Sequence, residues 1–215
     1  MIKDFILGIR LLKYCYGIKA NVTCAMLFLA AGALLLFRMP ENGIWTVYLV
    51  GSVAFLAQIL SSLNATAMAN SSPRRKALNT LIPMVLSLPL YLLLYGANCL
   101  AELWMLYTGK VWEQEVAQSM IMAGLVMMWF MVYIGGAFKY FVASLVMAVA
   151  AILFIILGGN IIFAILEPHI SIGAALLIGL AEVLLGVALQ YLLSLLLYRR
   201  SASKAAQMRQ LQKYM

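Results

Sequence analysis

Charged residues are scarce in this chain. Only 10% of the 215 residues are charged, whereas 66% are hydrophobic. A soluble globular domain has about a quarter charged and about half apolar residues, so the composition excludes that class. It predicts an integral membrane protein. Because one crossing takes about 20 residues, six helices leave little chain for loops, and we predict a single transmembrane domain over residues 1–215.

Metal-binding and disulfide patterns are missing. The one histidine, His169, has no second histidine or Glu-x-x-His companion, so no metal site is predicted. The three cysteines, Cys15, Cys24 and Cys99, form no CxxC or Cys/His spacing, and their odd number argues against a disulfide framework. We predict that they are reduced packing residues.

Nucleotide-binding and hydrolase motifs are also missing. The Gly109-Lys110 pair lacks the upstream glycine and the following hydroxyl residue of a P-loop. No G-x-S-x-G and no paired intramembrane aspartates indicate a membrane hydrolase. We therefore predict no catalytic residue and no cofactor in this chain, which is not expected to be an enzyme.

Apolar runs predict an all-α protein with six transmembrane helices at residues 20–37, 44–63, 78–107, 119–138, 141–157 and 171–198. The first run stays apolar beyond Ala30-Ala-Gly-Ala33, which predicts an uncleaved span rather than a signal peptide. The third run contains Pro83 and Pro89 and is longer than a span needs, so a kink or tilt is expected. Residues 1–19 carry apolar side chains at helical spacing and predict an interfacial helix, with a loosely ordered basic lead-in as the alternative.

The connection between the fifth and sixth predicted spans is weakly polar. Gly158-Gly-Asn160 is followed by apolar residues up to Leu166, and only then by Glu167-Pro168-His169. Such a sequence predicts a short half-embedded segment rather than a loop in water.

The positive charges are distributed unevenly. The predicted spans place thirteen of the fifteen Lys and Arg residues on one side and only Arg38 and Lys110 on the other. By the positive-inside rule both termini are cytoplasmic, the tail at residues 199–215 included, and the protein lies in the plasma (inner) membrane. The net charge of +8 does not indicate nucleic-acid binding, because the basic residues are not interleaved with aromatic residues on one soluble face.

A polar segment at residues 64–77 separates the second and third predicted spans, and polarity extends to Thr80. We interpret it as a cytoplasmic docking segment, and the alternative is an ordinary loop whose basic residues only fix topology. The candidate docking residues are Asn64, Asn70, Ser71, Ser72, Pro73, Arg74, Arg75 and Lys76.

Polar residues inside the predicted spans are candidate functional groups, because an ionisable side chain at depth is costly unless paired, neutral or wetted. Glu182 shares a helix face with Ala175, Gly179 and Gly186, whose small side chains allow close helix contact. Its carboxyl is predicted either to face a cavity or fix an interface, or to be protonated and hydrogen-bonded to a neighbouring helix. Glu102 is expected to reach the outer headgroups, and Asn98 is the polar residue one turn before it.

Together the basic amino-terminal helix, the six spans, the half-embedded segment and the stretch Ser72-Pro-Arg-Arg-Lys76 resemble the membrane subunit of a bacterial ABC-2 type exporter. The resemblance covers the whole chain as architecture and rests mainly on that basic stretch, which is similar to the family's short motif near its coupling helix. It implies a dimer with a second membrane subunit, identical or not. It also implies a partner ATPase that binds ATP and Mg²⁺ and receives the docking segment in a cleft.

The resemblance implies ATP-driven export. The mainly apolar side chains of the predicted spans indicate an apolar or amphipathic cargo, such as a peptide, lipid-like molecule or drug, that is taken from the cytoplasm or inner leaflet. One alternative is a proton- or ion-coupled carrier or small channel that uses Glu182 and Glu102. Another is a non-transporting membrane scaffold or immunity protein.

Overall fold

The computed structural model describes residues 2–13, 15, 17–38, 44–65, 72–137, 139–166 and 170–199. Every regular element in these ranges is a helix. In chain order the helices are α1 (Ile2–Leu12), α2 (Ile18–Arg38), α3 (Ile44–Ala65), α4 (Arg75–Asn79), α5 (Leu81–Tyr107), α6 (Glu113–Ala137), α7 (Phe141–Leu166) and α8 (Ile172–Leu197). Asn70, Ser71, His169 and the tail beyond Arg199, on which several predictions fall, lie outside the described residues.

Five stretches of the described chain are long and apolar enough to cross a membrane: Ile18–Arg38, Arg75–Tyr107, Glu113–Ala137, Val142–Gly159 and Ile172–Leu197. They make this a multi-pass, all-helical membrane protein. The second predicted span corresponds to α3, which has 22 residues. Its apolar stretch over the described residues, Val47–Leu60, is shorter than the five others.

The core of the bundle is formed mainly by α3, α5, α6 and α8, and its closest contact joins α6 to α8. Gly124 of α6 faces Gly179 of α8, and Gly135 of α6 faces Gln190 of α8. The difference in residue number is the same in both pairs, which means that α6 and α8 run in the same direction. Helix α5 runs opposite to both. Outside this core, α2 packs mainly on α3, and α7 packs mainly on α6.

The first helix is attached to the amino-terminal half of α5. A methyl group added at Gly8 would lie 2.8 Å from Leu86 and 3.0 Å from Ile82, so the two helices are in close contact there. Ile6 and Ile9, on other sides of α1, are exposed. One apolar face of α1 therefore packs on protein and another is left uncovered.

The third predicted span differs from the expectation at its start. The prediction has one helix from residue 78, but the structure has the short helix α4 followed by a break at Thr80, whose φ of −122° and ψ of −64° are not helical. The Thr80 hydroxyl donates to the Lys76 carbonyl at 2.8 Å, which closes the end of α4. Pro83 lies in the first turn of α5, where its missing N–H is tolerated, and only Pro89 interrupts the interior of the helix.

The half-embedded segment predicted after Leu157 is wrong as a separate element. Helix α7 continues through Gly158 and Gly159 to Leu166. A glycine lowers helix stability by only about 1 kcal/mol and keeps its backbone N–H, whereas proline removes it. With apolar residues on both sides, the glycine pair does not end the helix.

Described basic residues from the two predicted charge groups lie at different ends of the bundle. At one end Lys110 lies over the Trp104 ring, which contacts the Phe37 ring at 5.8 Å between centroids. At the other end the charge of Arg75 acts on Lys139 and on Tyr198. Residues assigned to opposite sides therefore lie at opposite ends.

Candidate functional site

The polar segment at residues 64–77 ends in a compact basic surface built on α4. A turn precedes the helix, in which the backbone N–H of Arg74 donates to the Ser72 hydroxyl at 3.1 Å. Pro73, Arg74 and Lys76 are exposed. On the opposite side of the same short helix Leu78, with the adjoining Asn79 and Thr80, is buried. The helix thus presents charge outward while an apolar side chain fixes it to the bundle.

Other basic residues gather beside α4, and we call the set Arg74, Arg75, Lys76, Lys139 and Arg199 the basic end. Lys139 lies in the turn between α6 and α7 and is only 3% exposed. Burial lowers the pKa of its ammonium group to about 8, and the positive charge of Arg75 acts in the same direction. The basic end therefore contains positive charge that the fold holds at an energetic cost.

The last residue of the basic end follows α8. Arg199 Nε donates to the Tyr198 hydroxyl at 2.9 Å. This hydrogen bond lowers the pKa of the Tyr198 phenol, and the charges of Lys76 and Arg75 act in the same direction. Three separate parts of the chain, α4, the α6–α7 turn and the end of α8, thus meet at the same place.

A second feature is a line of buried polar residues along one face of α5. Its members are Ser87, Tyr91, Tyr95, Asn98 and Glu102, all of which are buried. Spacings of three and four residues place them on one side of the helix. From Ser87 to Glu102 the helix rises by about 22 Å, most of the roughly 30 Å of a bilayer's hydrocarbon core.

Polar groups of α6 and α8 face this line. Ser87 donates to the Gln190 side-chain oxygen at 2.8 Å. Tyr95 donates to the Leu176 carbonyl at 3.3 Å. Ser119 of α6 donates to the Glu102 carboxylate in a short hydrogen bond. We call the whole set the polar seam: Ser87, Tyr91, Tyr95, Asn98 and Glu102 of α5, Ser119 of α6, and Glu182, Gln190 and Ser194 of α8.

Glu182 occupies the middle of the polar seam. Its Oε2 lies against Gly124 of α6, and the Tyr95 hydroxyl lies against Gly179, the glycine that faces Gly124. Oε2 is buried and makes no hydrogen bond to the described residues. The carboxyl is therefore held at the α6–α8 crossing beside the α5 phenol, with one oxygen unpaired.

Several further atoms of the polar seam lack hydrogen-bond partners within the described ranges. They are the Tyr91 hydroxyl, both amide atoms of Asn98, the Gln190 Nε2 and the Ser194 hydroxyl. Each unpaired buried polar group costs about 1–3 kcal/mol, and a whole domain is stable by only about 5–15 kcal/mol. So many unpaired groups in one seam are unusual for structural packing, which makes the seam a candidate functional site.

Small residues allow the helices to approach at the polar seam. A methyl group on Gly186 would lie 2.8 Å from the Met128 Cα, and one on Gly179 would overlap the Tyr95 hydroxyl. Ala175 on the same face of α8 is fully buried. The face predicted from the spacing of Ala175, Gly179 and Gly186 is therefore the one that contacts α5 and α6.

Glu102 differs from the expectation. The sequence suggests that it reaches the outer headgroups, but it is only 5% exposed and accepts a hydrogen bond from Ser119. The reason is its position four residues after Asn98, on the α5 face that packs against α6 and α8. A side chain on that face cannot extend to lipid.

Some seam residues carry no prediction from the sequence. Ser87, Tyr91, Tyr95, Ser119 and Ser194 do not stand out, because each is a common residue in an apolar helix. The signal that could have found those on α5 is the spacing of its polar residues in steps of three and four. Of the docking residues, Asn64 lies in the last turn of α3, and Ser72 to Lys76 lie in and before α4.

The fold, the basic end and the polar seam identify the general class of the protein but not its family. The protein is an all-helical, multi-pass membrane protein with a basic end and an internal polar seam. Within the described residues no group of three His, Cys, Asp or Glu side chains could hold a metal ion. No known family model, curated protein or solved structure matches the chain.

Proposed function

We propose that this protein is the membrane-spanning subunit of an ATP-driven exporter and that α4 is the element that contacts the ATPase. The observation that carries the proposal is the construction of α4. It exposes Arg74 and Lys76, buries Leu78 and leads directly into α5 through Thr80. An element that only fixed topology by its charge would not need to be attached to the bundle in this way.

The position of α4 supports transmission of movement. It packs against α3, α5 and α8, so a displacement at its exposed face acts on three helices of the bundle. The non-helical Thr80 separates it from α5 and supplies a bend at which the two helices change angle. From there α5 leads into the polar seam, where its contacts with α6 and α8 lie.

The partner is an ATPase subunit that binds ATP and Mg²⁺, with an acidic cleft that receives the basic surface of α4. The residues that would enter the cleft are Ser72, Pro73, Arg74 and Lys76, with Arg75 partly covered at its edge. Opposite charges at such a contact steer association and fix its register. The six-span topology, the cytoplasmic location of both termini and the inner-membrane location belong to this proposal.

The cargo we propose is apolar or amphipathic, and a second membrane subunit, identical or different, completes its path. Exposed apolar side chains cover much of α2 and α7, among them Met26, Leu27, Val146, Leu153 and Phe154. These faces are available to lipid, to the second subunit and to an apolar cargo. Methionine side chains near them adapt to cargo of varied shape.

Affinity purification of the chain from its native membrane in mild detergent tests the proposal. We expect an ATPase subunit to co-purify and to be lost when Arg74 and Lys76 are both changed to Glu. The matched control changes Arg10 and Lys19 to Glu, since both are exposed and both belong to the basic residues predicted on the same side of the membrane as Arg74 and Lys76. Retention of the ATPase by the α4 variant, or its equal loss from the control, would contradict the assignment of α4.

The cargo class is tested in nanodiscs that contain the co-purified complex. Amphipathic peptides, lipids and small hydrophilic sugars are added in turn and ATP hydrolysis is measured. We expect stimulation by peptides or lipids. Stimulation by the sugars alone would overturn the proposed cargo class without affecting the assignment of α4.

A further inference from the structure

The polar seam contains more hydrogen-bonding capacity than its own side chains use. Asn98 is fully buried, and neither atom of its amide group has a partner in the described part of the chain. Tyr91 and Gln190 are also fully buried, and each has one unpaired polar atom among the described residues. These are donors and acceptors together, which is what a bound water molecule requires.

The polar groups of the seam, paired and unpaired, lie at successive levels rather than at one point. Ser194 is one turn beyond Gln190 on α8, and Gln190 contacts Ser87. Tyr91 is one turn further along α5, and Tyr95 with Glu182 follows at the crossing of α6 and α8. Asn98 and then Glu102 continue the order toward the opposite end of the bundle. Adjacent levels are about one helical turn, or about 5.4 Å, apart, a gap that one or two water molecules bridge.

We propose that the polar seam binds a file of ordered water molecules between Ser194 and Glu102 and that Glu182 exchanges protons with this file. The proposal goes beyond the exporter function and does not depend on an ATPase. In the exchange, hydronium in the file gives a proton to the Glu182 carboxylate, which forms an O–H bond and leaves a neutral water molecule. Release is the reverse step, so no other reactant is needed.

The groups that face Glu182 are consistent with this role. From α5 the titratable neighbour is Tyr95, with Cys99 one turn further along. At this level α6 contributes Gly124 and Met120, neither of which titrates. No described basic side chain faces the carboxyl from α5 or α6 to hold it permanently ionised, so its charge follows the protons that the file supplies.

Water beside the polar seam can be detected without any mutation. Hydroxyl radicals generated by a short synchrotron X-ray pulse form from bound water as well as from bulk water, and they oxidise the side chains next to it. Tyr91 and Met131 are fully buried at the seam, and Met131 lies against Gly186. Trp45 is equally buried at the start of α3, where its backbone contacts Gly32, and serves as the internal control.

We expect Tyr91 and Met131 to be oxidised at least tenfold faster than Trp45 in the intact protein. Proton exchange is read separately by infrared spectroscopy, in which a protonated-carboxyl band titrates with bulk pH in the wild type and is absent from Glu182→Gln. Oxidation of Tyr91 and Met131 as slow as that of Trp45 would overturn the water file. A band that does not respond to pH, or that persists in Glu182→Gln, would overturn the role of Glu182. Neither readout involves transport or ATP, so failure here is distinct from failure of the exporter proposal.

Discussion

The Ser87 hydroxyl on α5 and the Gln190 side-chain oxygen on α8 are joined by a buried hydrogen bond of 2.8 Å. The bond links two helices that lie far apart in the sequence, at the end of the polar seam nearest α4. It also orients the Gln190 amide, whose Nε2 has no partner among the described residues. Contacts of this kind set the relative position of α5 and α8.

Removing the Ser87 hydroxyl should destabilise the protein. In Ser87→Ala the Gln190 oxygen loses its donor. We expect the free energy of unfolding, measured by thermal unfolding in detergent, to fall by about 1–2 kcal/mol. The control is Ser52→Ala, because Ser52 is also fully buried but donates to the Leu49 carbonyl of its own helix. The double variant Ser87→Ala/Gln190→Met should lose less than the sum of the two single changes. Strict additivity would mean that the bond contributes nothing.

Close packing of α8 predicts a sharp difference between two glycines of the same helix. In Gly179→Ala the new methyl group meets the Tyr95 hydroxyl and lies 2.9 Å from the Met120 carbonyl. We expect the free energy of unfolding to fall by about 1–3 kcal/mol, or the helices to fail to assemble. Gly173→Ala introduces a methyl group with nothing within 4 Å and should be neutral or slightly stabilising. Size-exclusion thermostability assays of the two variants measure the difference, and equal behaviour would contradict the close crossing of α6 and α8.

Glu182 should be retained for function rather than for stability. Its Oε2 is buried without a partner in the described ranges, so Glu182→Met, which has a similar length and no unpaired oxygen, should raise the stability by about 1–2 kcal/mol. Glu182→Gln should leave it nearly unchanged. Thermal unfolding of the three proteins in the same detergent provides the comparison. Strong destabilisation by Met would show that the carboxyl is a structural group.

The buried Lys139 predicts a pH-dependent stability. Its pKa is lowered to about 8 in the folded protein by burial and by Arg75. Below pH 8 the ammonium is charged in both the folded and the unfolded state, so the folded state is destabilised by the full free energy of burying that charge. Between that pKa and about pH 10 the folded state loses the proton first, and the stability rises with pH.

Lys139→Gln removes this cost and identifies its source. We expect the variant to be about 1–3 kcal/mol more stable than the wild type near pH 7, with the difference disappearing above about pH 10. The control is Lys110→Gln, which replaces an exposed lysine at the other end of the bundle. A constant difference between Lys139→Gln and wild type across this pH range would contradict the lowered pKa.

Helix positions follow from the sequence where apolar length alone decides them. The prediction of residues 171–198 agrees within a residue with α8, because that run contains no proline and no polar stretch that would end a helix. The start of α5 is not predicted, because leucine at positions 78 and 81 makes the run look continuous. The break depends on Thr80, whose hydroxyl bonds back to Lys76. That bond is a local choice that hydropathy does not reveal.

The candidate sites are predictable to different degrees. The basic stretch at Arg74 is visible as consecutive charges, so α4 can be located from the sequence. The polar seam cannot, because its members come from three helices, and their meeting depends on the register of α5 against α8. Glu102 shows the consequence: its distance from the end of α5 suggests exposure, and only the packing partner Ser119 shows that it faces inward.

The proposed coupling of this protein to an ATPase through α4 can be measured directly. The membrane subunit, as wild type or variant, is combined in nanodiscs with ATPase subunit purified from the wild-type complex, and ATP hydrolysis is recorded with and without an amphipathic peptide that stimulates the wild-type complex. We predict that changing Arg74 and Lys76 to Glu abolishes the stimulation, whereas changing Arg10 and Lys19 to Glu leaves it intact. Undiminished stimulation in the Arg74/Lys76 variant would contradict the claim.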